Sequence, residues 1–284
     1  MITHVAAAGE DRGRVVLRLS PLAAPSPVAL DAAVRVAQAF GAEIESLFIE
    51  DRQLVDLAAF SFVRETTPSG GATRALAADD VDRDMRALGR DLQAGVADIA
   101  RRAGVACRAR SVRDEPMRAL AQACAESGPW NMVAIGEPLG AGAASEIADI
   151  FAGVDDMTGI LVVAPGARAA AGPVVIAVEA LERLQPTLRA AARIAGVLGG
   201  DIRMVLVAID PELVAWMEAE ARQMLEPGPV RIAAVQLASD GDSARRMLSA
   251  SAAGFVIAGF GGTVAPADHE PLSASLDCPL LLVR

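Results

Sequence analysis

Residues 35–49 read RVAQAFGAEIESLFI, and residues 193–207 read RIAGVLGGDIRMVLV. Arginine, alanine, glycine and isoleucine recur in register, and nearly every apolar position is matched. In both copies, apolar residues at helical spacing lead into a glycine that suits the position just past a helix C-terminus, and an apolar strand follows at once. A helix-then-strand unit spelled twice predicts a duplicated α/β architecture.

Reading outward from the first copy, RVVLRLS (14–20) is a strand, and a helix is predicted over 27–40 with Leu30, Val34, Ala37 and Phe40 on one face. EIESLFI (43–49) is the second strand. An irregular insert occupies about 50–79 and contains TTPSGGAT, which reads as a mobile loop. A long amphipathic helix is predicted over 80–103, stopping at Gly104. A strand over 105–112 with its arginines outward, a helix over 115–127, a strand over 131–136, a short helix over 144–152 and a strand over 159–165 complete the unit. The second unit repeats the programme in less space. Its strands are predicted over 172–179, 201–209, 229–237, 254–259 and 279–284, and its helices over 185–200, 211–225 and 242–251.

Alternating β and α elements with continuous apolar strands imply parallel sheets covered on both faces. The fold class is therefore α/β: two tandem doubly wound domains, each a five-stranded parallel sheet of order 3-2-1-4-5 with right-handed crossovers. Domain 1 is expected over 1–170, with the insert at about 50–79, and a shorter domain 2 over 171–284. In each, the switch point lies between the first and fourth strands, where ligands of such folds bind. Any chemistry belongs to the loops after Leu19, Ile135, Val178 and Ala258.

The bulk composition narrows the function classes. A length of 284 residues favours two domains, and 53% hydrophobic with 3% aromatic residues means a core of Ala, Val, Leu and Ile. The mean hydropathy is +0.37, but the longest uncharged run, MLSASAAGFVIAGFGGTVAPA, is broken by glycines and proline and makes a poor spanning helix. The start, MITHVAAAGEDRGR, lacks a basic segment followed by a long apolar one, so a soluble cytoplasmic protein with no membrane partner is expected. A formal net charge of -10 disfavours nucleic acid. All 26 basic residues are arginine. Without lysine there is no P-loop GK[ST], no Schiff base and no kinase-type phosphate lysine. Cys107, Cys124 and Cys278 are widely spaced and odd in number, which reads as reduced, buried thiols rather than a disulfide framework or zinc site. His4 and His269 are the only histidines, a weak basis for catalysis or a metal cluster.

The repeated strand-helix-strand with Arg-x-Ala…Gly, the glycine after each fourth strand (Gly136, Gly259) and the closing CPLLLVR (278–284) together resemble the universal stress protein family. The segment IEDRQLVDLAAFSFVRE is similar to the insert of its bacterial tandem members, and the resemblance covers nearly the whole chain, twice. It implies that the last strands of the two units, GILVVAP and PLLLVR, meet antiparallel, so that one chain forms an intramolecular pseudo-dimer. It also implies a nucleotide question, because many members bind ATP. They use an acidic residue ending strand one and Gly-x2-Gly-x9-Gly-[Ser/Thr] after strand four, where backbone N–H groups approach phosphate.

Neither unit keeps those parts intact. In the first, Ser20, followed by Pro21, stands at the acidic position. After Gly136 comes EPLGAGAASE, where Gly140 is one residue late, Ser145 falls where the helix would open, and Glu137 and Glu146 add negative charge. Ser145 reads either as a modified anion nest or as a helix N-cap. In the second, Glu179 fills the acidic position, and Gly259 and Gly262 are correctly spaced. Nine residues on stand Leu272 and Ser273, but too few residues remain before the last strand for a helix, since two turns take about seven. Asp268 and Glu270 add charge.

Other candidates read as structural. Arg183, Arg189 and Arg193 suit a solvated helix face, the Asp79, Asp80, Asp82 and Asp84 run a helix start, Trp216 and Met217 the core, and Cys278 apolar packing. The expectation is a non-enzymatic stress-response protein with degenerate nucleotide motifs that binds a small ligand or protein partner. No cofactor is expected, and further homo-oligomerisation is open. The alternative is an ATP-binding member with one functional site, Mg²⁺, and at most slow hydrolysis. An adenylating or hydrolytic enzyme lacks a catalytic constellation.

Overall fold

The structure, a computed structural model, describes residues 13–52, 56–57, 60, 63–66, 73–75, 78–126, 131–136, 143–164, 166–168, 172–208, 210–226, 228–267 and 272–284. The first half runs β1 (Arg14–Leu19), α1 (Pro27–Phe40), β2 (Glu43–Asp51), β3 (Arg64–Thr66), β4 (Thr73–Ala75), α2 (Ala78–Arg102), β5 (Cys107–Asp114), α3 (Pro116–Ala125), β6 (Asn131–Ile135), α4 (Ala143–Gly153) and β7 (Gly159–Val162). The second runs β8 (Val174–Val178), α5 (Leu181–Leu198), β9 (Ile202–Val207), α6 (Pro211–Leu225), β10 (Ile232–Ala238), α7 (Gly241–Ala250), β11 (Phe255–Gly259), a single 3₁₀ turn (Leu272–Ser275) and β12 (Leu280–Val283).

The echoed stretches fold alike. In α1, Ser26 caps the start by accepting from the Ala29 N–H at 3.0 Å, with Pro27 at a tolerated first position. Both helices then end on a left-handed glycine, Gly41 (φ 59) and Gly199 (φ 67). The next residue folds back, Ala42 N–H onto the Ala37 carbonyl at 2.8 Å and Gly200 N–H onto Ala195 at 3.1 Å. A side chain with a Cβ is strained at that φ, so glycine turns the chain directly into β2 and β9.

One ten-stranded sheet results, in the order β10-β9-β8-β11-β12-β7-β6-β1-β2-β5. Each half has the order 3-2-1-4-5 in its own numbering, and all pairings are parallel except the central one. There β12 meets β7 antiparallel, Leu280 opposite Val162 and Val283 opposite Gly159. Ile160, Leu161, Val162, Leu280, Leu281 and Leu282 are at most 4% exposed, and burying each aliphatic side chain contributes about 1.5–3 kcal/mol. On one face α1 and α5 pack against each other across this joint, with the Arg193 guanidinium 5.1 Å from the Phe40 ring centroid. On the other, Phe151 of α4 stacks on Phe260 at 3.9 Å between centroids. Arg284 ties the last residue back, donating to the carbonyls of Asp155 at 2.6 Å, Val154 at 3.3 Å and Phe151.

Two details differ from the sequence reading. The insert contains a short hairpin, β3 antiparallel to β4, whose three-residue strands are too brief to register as a period. Helix α5 starts at Leu181 and carries Pro186 inside it; Leu184, 2% exposed, holds the first turn on the sheet despite the lost N–H. In the second unit the last crossover helix is reduced to the 3₁₀ turn, as the short span after Ser273 requires, and Ser273 itself is buried.

Candidate functional site

At the carboxyl end of β8, Glu179 turns into the loop after β11. Its Oε2 accepts hydrogen bonds from the Thr263 N–H at 2.6 Å, the Thr263 hydroxyl at 2.5 Å and the Val264 N–H at 3.2 Å. Its Oε1 lies 3.5 Å from Arg183 Nη1, and that nitrogen donates to the Phe260 carbonyl at 2.8 Å. A Cβ on Gly262 would overlap the Glu179 carboxylate, and one on Gly259 would press into the Arg183 guanidinium. The glycines therefore admit this chain's own acid and base. Backbone N–H groups converging on an oxygen make an anion nest, and here the anion is Glu179.

Beside this clasp lies a cleft of about 590 Å³, lined by Glu179, Glu182, Arg183, Asp210, Leu213 and Asp240 among others. Asp210 caps α6, accepting from the Glu212 N–H at 2.9 Å. Asp240 caps α7 in a reciprocal box: its carboxylate accepts from the Ser243 N–H at 2.7 Å, and its own N–H donates to the Ser243 hydroxyl at 3.2 Å. The Ser243 N–H holds the Asp240 carboxyl below the usual carboxylate range. The cleft thus sets four carboxylates against one arginine.

The first unit's switch point is covered by its own chain. The Ser20 hydroxyl accepts from the Leu22 N–H at 3.1 Å, and the Ser26 N–H donates to the Gly136 carbonyl at 2.9 Å. A Cβ on Gly136 would meet the Arg18 carbonyl and Pro25 at 3.1 Å each, so the β1–α1 connection lies against the end of β6. Below it, buried Arg18 pairs with Glu146 in the first turn of α4. Ser145 is exposed and is the third residue of α4, not its N-cap. Gly140, Glu137, Asp268, Glu270, His4 and His269 lie outside the described residues.

Of the sequence candidates, then, Glu179, Gly259 and Gly262 converge on one point. Ser20 and Gly136 flank the covered crevice. Arg183, expected on a solvated helix face, joins Glu179 at its point of convergence, as do Thr263 and Val264, which no sequence pattern singles out. Arg183 is four residues past Glu179, a pairing visible once α5 is started at Leu181. Arg189 is exposed as expected, whereas Trp216, expected in the core, is 47% exposed beside buried Met217. Cys124 and Cys278 are buried free thiols, each pushed up to about 12 chiefly by burial, and half-buried Cys107 is shifted upward for the same reason. Among the described residues no group of three or more His, Cys, Asp or Glu could hold a metal ion, and no helix is long and apolar enough to cross a membrane.

Two doubly wound units joined through their fifth strands define a tandem α/β fold. Solved structures agree on the fold, which is that of the universal stress proteins. One from Archaeoglobus fulgidus superposes with a TM-score of 0.62 at 14% identity, over 95% of this chain and 98% of that one. A Pseudomonas aeruginosa protein described as a universal stress protein gives 0.52 at 13% identity, over 96% and 93%. The cytoplasmic domain of a prokaryotic cation chloride cotransporter gives 0.57 at 9% identity, over 96% and 95%. No protein-family model matches the sequence, and neither does any curated protein.

Proposed function

We propose that this is a non-enzymatic stress-response protein of universal stress type, a pseudo-dimer of units over 1–170 and 171–284. In this reading it binds a small ligand without a triphosphate, or a protein partner, in place of ATP. The observation that carries the reading is the Glu179 carboxylate seated on the Thr263 and Val264 N–H groups. A phosphate approaching that nest meets an anion already in place, with Glu182, Asp210 and Asp240 lining the approach. Each like-charge pair at ~4 Å costs about 1 kcal/mol in water and about four times that near a protein surface.

Equilibrium dialysis with labelled ATP and Mg²⁺ tests the reading. No retention above a control protein is expected. Saturable micromolar retention, or nucleotide carried through purification from the expression host, would overturn it.

A further inference from the structure

The sheet ends in two edge strands that hold equivalent places in the two units, β5 and β10. The sequence treats them differently. β5, CRARSVRD, carries Arg108, Arg110, Arg113 and Asp114, and its arginines are tied to Glu45, Glu126, Glu50 and Asp82. β10, IAAVQLA, has no charged residue. Among the described residues no strand lies beyond it. Ala233, Ala234, Gln236 and Leu237 are exposed, Leu237 at 53%. The helix α2 packs against β2 and β5, whereas the shorter α6 packs against α5. An unpaired edge offers a row of N–H and C=O groups to any passing strand, and edge charges are the usual deterrent. β10 lacks that deterrent.

Charge brackets the neutral strand instead. Arg231, exposed, precedes it, and Asp240 and Asp242 follow it. A bulge between Ile232 and Ala234 confines the regular register with β9 to residues 234–238, centred on Gln236. An antiparallel copy related by a two-fold axis through Gln236 sets Ala234 against Ala238 and Val235 against Leu237. It also brings Arg231, just before the paired segment, to the same end as Asp240 and Asp242, just after that segment in the second copy. A cleft of about 490 Å³ lined by Arg222, Leu225, Val230 and Arg231 among others borders that end of the strand. The same operation on β5 sets Arg108 against Arg113, like charge against like.

We infer that β10 is a homodimerisation edge. Two copies of this chain pair antiparallel through residues 234–238, and Arg231 of each faces the acidic segment after β10 of the other. The assembly closes after two copies, because both outer ends are then the charged β5. It requires no ligand in either cleft.

Sedimentation of the full chain across a micromolar concentration series tests this, with a reversible dimer expected. Ala234→Lys with Gln236→Lys places like charges across the axis and should weaken association at least about tenfold. Arg231→Glu should weaken it, and adding Asp242→Arg should restore it. In a Cys107→Ser background, Gln236→Cys should form a covalent dimer on oxidation, a readout that changes little at the edge. A wild type monomeric throughout, a dimer indifferent to the lysine pair, an Arg231→Glu defect that Asp242→Arg leaves uncorrected, or an oxidised Gln236→Cys variant that stays monomeric would each overturn the inference. So would a different polypeptide found paired along β10 of a single chain.

Discussion

Replacing Glu179 by alanine removes the acceptor of three hydrogen bonds and the ion-pair partner of Arg183. Hydrogen bonds to a charged group contribute about 1.5–3 kcal/mol each, but the gross sum overstates the loss. The Thr263 N–H and hydroxyl are exposed, and water replaces the carboxylate there. The Val264 N–H is part-buried, and Arg183 keeps only the Phe260 carbonyl. A net loss of about 2–3 kcal/mol follows, which for a chain of this size lowers Tm by roughly 3–5 °C. Glu179→Gln keeps one carbonyl acceptor and should lose about half as much. The assay is differential scanning fluorimetry with and without inorganic phosphate. Emptying the nest exposes its N–H groups beside Arg183, so phosphate should raise the Tm of Glu179→Ala and leave the wild type unchanged, by mass action on the folded state. A variant melting within about 1 °C of wild type, or phosphate stabilising both proteins equally, would refute the reasoning.

Three further outcomes are expected. Phe151→Ala empties the stack against Phe260 at the joint between the halves and should cost about 3 kcal/mol or more, read from the urea midpoint. Glu45 is fully buried, 2.8 Å from both Arg14 and Arg108 and 3.6 Å from Arg110; Glu45→Ala leaves buried Arg14 with Glu43 alone and Arg108 without its carboxylate, and should cost about 3 kcal/mol by the same measurement. The thiols of Cys124 and Cys278 rise from 9.0 to about 12 in the folded state, so between those pH values the folded chain holds protons that the unfolded chain has released. Stability should therefore fall as pH rises from about 9 toward 12, and Cys124→Ala should flatten that slope in alkaline melts. An unchanged slope in the variant would assign the alkaline loss elsewhere.

The duplicated helix-then-strand was readable because its signals are local: apolar periodicity, then a glycine that must turn left-handed. The strand order follows from crossover rules, and the antiparallel joint from the family resemblance. The short β3–β4 hairpin was not readable, since three residues carry no period. The glycines of the candidate site stood out in the sequence, but their partners did not. Gly262 has the spacing of a phosphate loop, and nothing local reveals that Glu179, some eighty positions earlier, occupies the space its missing Cβ leaves. Only the fold brings them together. Trp216 misled for a related reason: it and Met217 are both large and apolar, and which of the two neighbours faces inward is settled by how α6 lies on α5.

The antiparallel pairing of β7 with β12 has a consequence for how the molecule is made. β7 leaves the ribosome well before its partner β12, with the entire second unit between them. The first unit therefore emerges with an apolar edge bare, and domains emerging N-terminal first fold in that order. Neighbouring nascent chains on one message would each offer the other's missing terminal strand, so strand exchange between them competes with correct closure. Arg284, just past β12 and bonded to the Asp155, Val154 and Phe151 carbonyls, favours closure within its own chain.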